Sequence, residues 1–295
     1  MRFAIRDDDT NYFTSPEELK ACYGDIWDSY PPTLCLISKV KGKWSHWVHQ
    51  IYKDKHDTDW EAWTNDNTPY PIEGNGALVD FLKEKVKEGK LDIAYHAKYH
   101  RNEDTYLPKS RANNYVRCAE YFTTRDLTED IKTEVTHLNQ LLGCNISVFT
   151  PPQNLLSKLG YNSVINAGLN ICGGGIAFYK KEKDIKGLQN IAKQLAFKVL
   201  HRDSDYPRVV HYKNHNELPY HYPLQPGTRL DSLIYDFDMV RKHNGDFVLS
   251  THYVEFDYPM VYDETITMKR VLLDFLDYVS QYDNVEKVTL SEMLQ

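Results

Sequence analysis

The chain has 295 residues, with 35 Lys plus Arg against 42 Asp plus Glu, a formal net charge of −7. Hydrophobic residues make up 41% and aromatics 13%, enough for a sizeable core and too varied for a collagenous, low-complexity or disordered chain. The acidic balance, with no dominant basic block, excludes the electrostatic footprint of a nucleic-acid-binding protein.

Residues 2–6 alternate polar and apolar side chains and read as a first strand running into Asp7-Asp8-Asp9. Ser15-Pro16-Glu17-Glu18 is a helix start, with Ser as N-cap, Pro in the first turn and Glu at the third position. Residues 17–27 are therefore expected to be helical, Pro31-Pro32 to stop them, and 33–40 to form a second strand. Residues 41–76 are polar, aromatic and rich in Asp, Asn and Pro, as an inserted lid or loop would be. An amphipathic helix is expected over 77–86, ending at Gly89, and a strand over 91–95 leading into His96. Residues 111–121 and 128–142 read as helices, 146–149 as a strand, and 155–159 as a helix start after Pro151-Pro152. Short apolar segments follow at 163–167, 170–172 and 197–200. A strand at 247–251 ends at His252, 267–281 is a strongly amphipathic helix, and 285–288 is a last strand before a Ser291-capped turn.

Alternating strands and helices argue for an α/β protein with a parallel sheet or barrel. With no internal repeat and no linker-like composition, residues 1–295 read as one domain enlarged by the insertion at about 41–76. The longest apolar runs fall far short of the roughly 20 residues that cross a bilayer. The first residues lack the apolar stretch of about 7–15 residues of a secretory signal, so the expected location is the cytoplasm. Five Cys, at 22, 35, 118, 144 and 172, show no C-x-x-C spacing and read as free thiols packed as small hydrophobes. The oligomeric state is left open.

Four constellations carry chemistry. Asp7-Asp8-Asp9 is an acidic triplet at a strand end, and such a run must face water, a cation or a helix dipole. Successive strand residues point to opposite sides, so neighbouring Asp can split roles, one on a metal and one beside it. His96-Ala97-Lys98-Tyr99-His100 places two imidazoles at i and i+4, able to converge on one ion. Two His plus a carboxylate with open positions is a catalytic metal arrangement. Phe149-Thr150-Pro151-Pro152-Gln153-Asn154 is a rigid strand-to-helix turn, and Ser250-Thr251-His252-Tyr253 ends a late strand. Tyr12, Tyr95 and Tyr99 beside these motifs serve equally as sugar-stacking or core residues.

In this order the four motifs resemble the polysaccharide deacetylase (NodB-homology) family, carbohydrate esterase family four. Asp7-Asp8 is similar to its first motif, His96 and His100 to its His-x-x-x-His motif, Pro151-Pro152 to its Pro-containing turn, and His252 to its strand-terminal His. The stretches IRDDDTNYFTSPEEL and VFTPPQN look most like a divergent, WbmS-like branch found in surface-polysaccharide and O-antigen clusters. The resemblance implies a distorted (β/α) barrel holding one divalent metal, expected to be zinc, on Asp8, His96 and His100. It implies Asp7 as general base and His252 as general acid in hydrolytic N-deacetylation of a sugar or glycan. Departures are Asp9 where the family has Gly, Ala97 where it has Ser or Thr, and no Arg near the Pro turn, where Thr150 stands. The register within the triplet is thus open by one residue.

Three alternatives remain. Asp7-x-Asp9 could be the metal-nucleotide motif of a glycosyltransferase, which leaves the His pair without a role. Asp and two His could be a non-haem iron oxygenase triad, against the ligand order. A catalytically degenerate sugar-binding barrel would account for the altered motif positions.

Overall fold

A computed structural model describes residues 1–42, 67–101, 119–175, 185–201 and 205–295. Eight short strands follow one another around the main sheet in chain order. β1 (Arg2–Thr10) is followed on one side by β2 (Thr33–Ile37), β3 (Asp92–Ala97), β4 (Val148–Phe149), β5 (Asn170–Cys172) and β6 (Asn216–Leu218). On its other side lies β8 (Asp246–Thr251), with β7 (Tyr222–Pro223) beyond it. All these neighbours pair in parallel.

β6 and β7 are the two ends of one extended run, separated only by residues 219–221. Its first part pairs with β5, Cys172 opposite Leu218, and its last part with β8, Tyr222 opposite Leu249. One stretch of chain thereby links the two ends of the parallel series, with Val210–His211 paired antiparallel outside β6, and the sheet curls into the expected distorted (β/α) barrel.

Helices occupy the connections: α1 (Pro16–Tyr23), α2 (Gly76–Lys87), α3 (Thr128–Leu142), α4 (Lys158–Asn166), α5 (Ile185–Leu200) and α6 (Leu230–Lys242), then α7 (Met268–Ser280) and α8 (Leu290–Met293) after β8. The period of two along β1 builds two cores. Phe3 and Ile5 join the large outer cluster beneath the helices, and Ala4 joins the inner one. The inner cluster is built from modest side chains, among them Cys35, Ala94, Val148, Cys172 and Val248, as a small barrel bore requires.

Leu290, Met293 and Leu294 plug the end of that bore where the strands begin. Arg2 donates to Met293 O at 2.9 Å, Asn170 and Asn216 to Leu294 O, and the Ser291 hydroxyl to Asp92 at 2.8 Å. The N-terminal amine meets Asn244 at 2.6 Å nearby. Both chain ends therefore lie at the foot of the barrel.

Ser15 caps α1 with the expected box, its side chain on Glu18 N and Glu18 on Ser15 N. The cap of α8 is Thr289, not Ser291. The expected start of a helix at 155–159 is delayed to Lys158 by a 3-10 turn at Pro152–Asn154. Residues 197–200 are the last turn of α5. Of the expected insertion, 43–66 lie outside the described residues, and Lys39–Lys41 pairs antiparallel with Pro69–Pro71. Of the helix expected at 111–121, residues 111–118 lie outside them and 119–121 are not helical. Cys22, Cys35 and Cys172 are buried and free, Cys144 is half-buried and free, and Cys118 lies outside the described residues. Among the described residues, no helix is long and apolar enough to cross a membrane.

Candidate metal centre

β1 does not stop before the acidic triplet but carries it. Along β1, Arg6 and Asp8 share the side of Ala4, toward the bore, and Asp7 shares the side of Phe3 and Ile5. Alternation then breaks. Between Asp7 and Thr10 the pairing with β2 slips by one residue, and Asp9 adopts φ of 75°. Such a bulge turns an extra residue out of the pleat, and Asp is among the non-glycine residues that tolerate this region best. Asp8 and Asp9, neighbours in sequence, consequently both reach the mouth of the barrel.

Asp9 Oδ1 lies 3.2 Å from Nε2 of His96 and 3.2 Å from Nε2 of His100. One ligand atom from each of the three buried residues falls within 4.8 Å of the others. Asp9 Oδ1 is buried and has no hydrogen-bond partner. The three ligand atoms thus lie close enough together to share one divalent cation. The His96 ring stands in the tautomer a metal needs: Nδ1 lies 2.8 Å from the Thr150 carbonyl, which can only accept, so Nδ1 carries the proton and Nε2 is left free. His100, at φ of 68°, owes its position to a local turn, where Glu120 accepts Tyr99 N–H at 2.8 Å. Burial pushes the His100 imidazole down to about 3, so it is neutral and ready to ligate. Burial opposes ionisation of Asp9, yet His100 and His96 hold its carboxyl well below the usual range.

The sequence expectation placed Asp8 on the metal and Asp7 at the reacting water. In the structure the Asp8 carboxylate is held by Arg6, Oδ1 from Nε at 2.8 Å and Oδ2 from Nη2 at 2.5 Å. Burial favours the neutral Asp8, but the Arg6 charge and hydrogen bonds outweigh it and keep the acid ionised. Asp7 is fully buried on the opposite face. Its Oδ2 accepts from Tyr23 Oη and from Thr251 Oγ1, the latter at 3.1 Å, and burial raises its carboxyl well above the ordinary value. Of the three carboxylates, Asp9 therefore stands against both imidazoles, Asp8 against Arg6 and Asp7 against Tyr23 and Thr251.

His252, at the end of β8, has Nε2 3.8 Å from Asp9 Oδ2 and Nδ1 3.5 Å from the buried Glu255 Oε2. Burial lowers its basicity, but Glu255 and the Asp9 charge prevail and push it up to about 10. Arg6, Asp8, Asp9, His96, His100 and His252 all line one cavity of about 270 Å³. Gln153 and Asn154, at φ of 54° each, bring the Pro151-Pro152 turn to its wall. Tyr95 is core, hydrogen-bonded to Tyr121 and packed on Phe149, and Tyr12 packs on Phe13 and Tyr70.

Two contributors escaped the sequence reading. Arg6 carried a signal, since two residues before Asp8 on a strand means the same face. Glu255 follows His252 by three residues at a 3-10 turn whose formation the sequence did not announce.

No sequence family profile and no curated protein matches this chain. Solved structures with a similar course of chain include a presumed polysaccharide deacetylase from Mycobacterium smegmatis (12% identity, 99% of this chain and 87% of that one, TM-score 0.49). A family 4 acetyl xylan esterase from Clostridium thermocellum, in complex with a cobalt ion, is 13% identical over 99% of this chain and 90% of its own, TM-score 0.45. The 4-alpha-glucanotransferase of Thermococcus litoralis is 13% identical, TM-score 0.48, and this chain spans 40% of its length.

Proposed function

We propose that the protein is a metal-dependent hydrolase that removes an acyl group from the amide nitrogen of a sugar. The observation that carries this reading is the buried, convergent Asp9-His96-His100 triad with an arginine-held carboxylate and a raised histidine on the same cavity. Asp9, His96 and His100 would hold the ion, expected to be zinc. When bound, the ion supplies a Lewis acid for water and for the acyl oxygen.

The chain's own groups complete the chemistry. Asp8, ionised and fixed by Arg6, takes the proton of the attacking water as general base. The Arg6 fork sets the carboxylate plane and supplies the guanidinium missing from the Pro turn. His252, cationic at neutral pH through Glu255, protonates the leaving amine. Water plus amide thus yields a carboxylate and a protonated amine. Surface-polysaccharide biosynthesis, with an N-acetylated sugar intermediate as substrate, remains the setting to which the sequence resemblance points.

Acetate release from N-acetylhexosamine carriers by metal-replete protein tests the assignment. Asp8→Asn should retain stoichiometric metal and lose turnover by at least about 100-fold, whereas Asp9→Ala should lose the metal. Undiminished acetate release by Asp8→Asn would remove Asp8 from the mechanism.

A further inference from the structure

Helix α5 is inside out. Gly187, Asn190 and Gln194 are buried against the protein, while Ile185, Leu188, Leu195, Val199 and Leu200 are 77%, 57%, 50%, 73% and 76% exposed. A helix packed on a domain normally shows the reverse. The inward polar face is anchored, not misplaced: Asn190 donates to His211 O at 2.8 Å and Lys186 to Tyr212 O at 3.2 Å. At 3.6 residues per turn, positions 185, 188, 192, 195 and 199 form one stripe on the side away from 187, 190 and 194. A contiguous exposed stripe of this kind marks an interaction surface.

The borders of the stripe identify the partner. Lys193 lies along one edge and Lys198 along the other, and the helix contains no Asp or Glu, although the chain as a whole carries −7. Lys198 also reaches Asp205 at 3.0 Å, an exposed pair that contributes little. A second copy of this chain is a poor occupant, because pairing two stripes brings lysine borders together with no acid on either helix to meet them. An anionic lipid surface suits both features: apolar side chains enter the acyl boundary and lysines extend to the headgroups. We propose that α5 is an interfacial docking helix by which the protein lies on an anionic bilayer. At 16 residues, about 24 Å, it would lie in the plane rather than cross.

Flotation of the full chain with vesicles tests this, using phosphatidylcholine alone and phosphatidylcholine mixed with phosphatidylglycerol. Binding is expected only to the anionic vesicles, weakening with added salt. The triple variant Leu188→Gln, Leu195→Gln, Val199→Gln should bind at least about tenfold more weakly with unchanged circular dichroism and melting temperature, since all three side chains are exposed. No binding to anionic vesicles, or equal binding by the variant, overturns the proposal. So does a concentration-dependent dimer that the same variant dissociates, which would give the stripe to a second copy.

Discussion

Asp7 and Asp8 differ by one position and by everything around them. Asp7 is buried against Tyr23 and Thr251 with a raised carboxyl, so an amide can replace it with little change of charge. Asp7→Asn should keep metal and retain turnover within about tenfold, while Asp8→Asn loses it, both read by acetate release. If Asp7→Asn is the dead variant, the register of the site is the other one. Arg6 and Asp8 form a buried bidentate pair, and removing one partner strands the other charge. Arg6→Met should therefore cost about 3–5 kcal/mol at pH 7 in urea unfolding with chelator present. The sign with pH follows from Asp8, whose folded carboxyl lies below its ordinary value. Its contribution is present above the unfolded value near 4 and lost as pH falls through the folded one. The deficit of Arg6→Met should accordingly persist down to about pH 4 and shrink below it; a deficit that grows on acidification would contradict the pairing. At this scale the His pair was legible, because i and i+4 spacing is a local fact. The Asp register was not, because a bulge set by pairing with β2 decides which carboxylate turns toward His96 and His100.

Among elements, α8 contributes more than its four residues suggest. Leu290, Met293 and Leu294 fill the foot of the bore, and Asp92, Arg2, Asn170 and Asn216 hold it from four different parts of the chain. Leu290→Ala should destabilise by about 2–5 kcal/mol without altering metal stoichiometry, since the plug lies at the end opposite the triad. Chemical unfolding paired with metal analysis checks both halves. The element was visible in sequence as a capped turn, but its role was not, because a plug is defined by the bore it closes. The strands β1, β3 and β8 and helices α1, α3 and α7 were readable from capping and periodicity. The closing run through β6 and β7 was not: two strands of three and two residues separated by 219–221 are too short to show a period.

For the molecule as a whole, the strands stand around the ring in the order in which they are made, and both chain ends meet at its foot. Glu286 pairs with Arg2, and Arg2 reaches the carbonyl of Met293. A cyclic order has no privileged first member. Joining the ends through a short flexible linker and opening the exposed turn at Gly143, between α3 and β4, would make Asp8 and Asp9 mid-chain residues while leaving every parallel neighbour in place. Such a circular permutant should fold and bind metal with the stoichiometry of the parent, measured by metal analysis of the purified protein. The position of Asp8 and Asp9 along the linear sequence is then incidental, and the hoop itself, rather than the linear chain, is the unit that brings Asp9, His96 and His100 together.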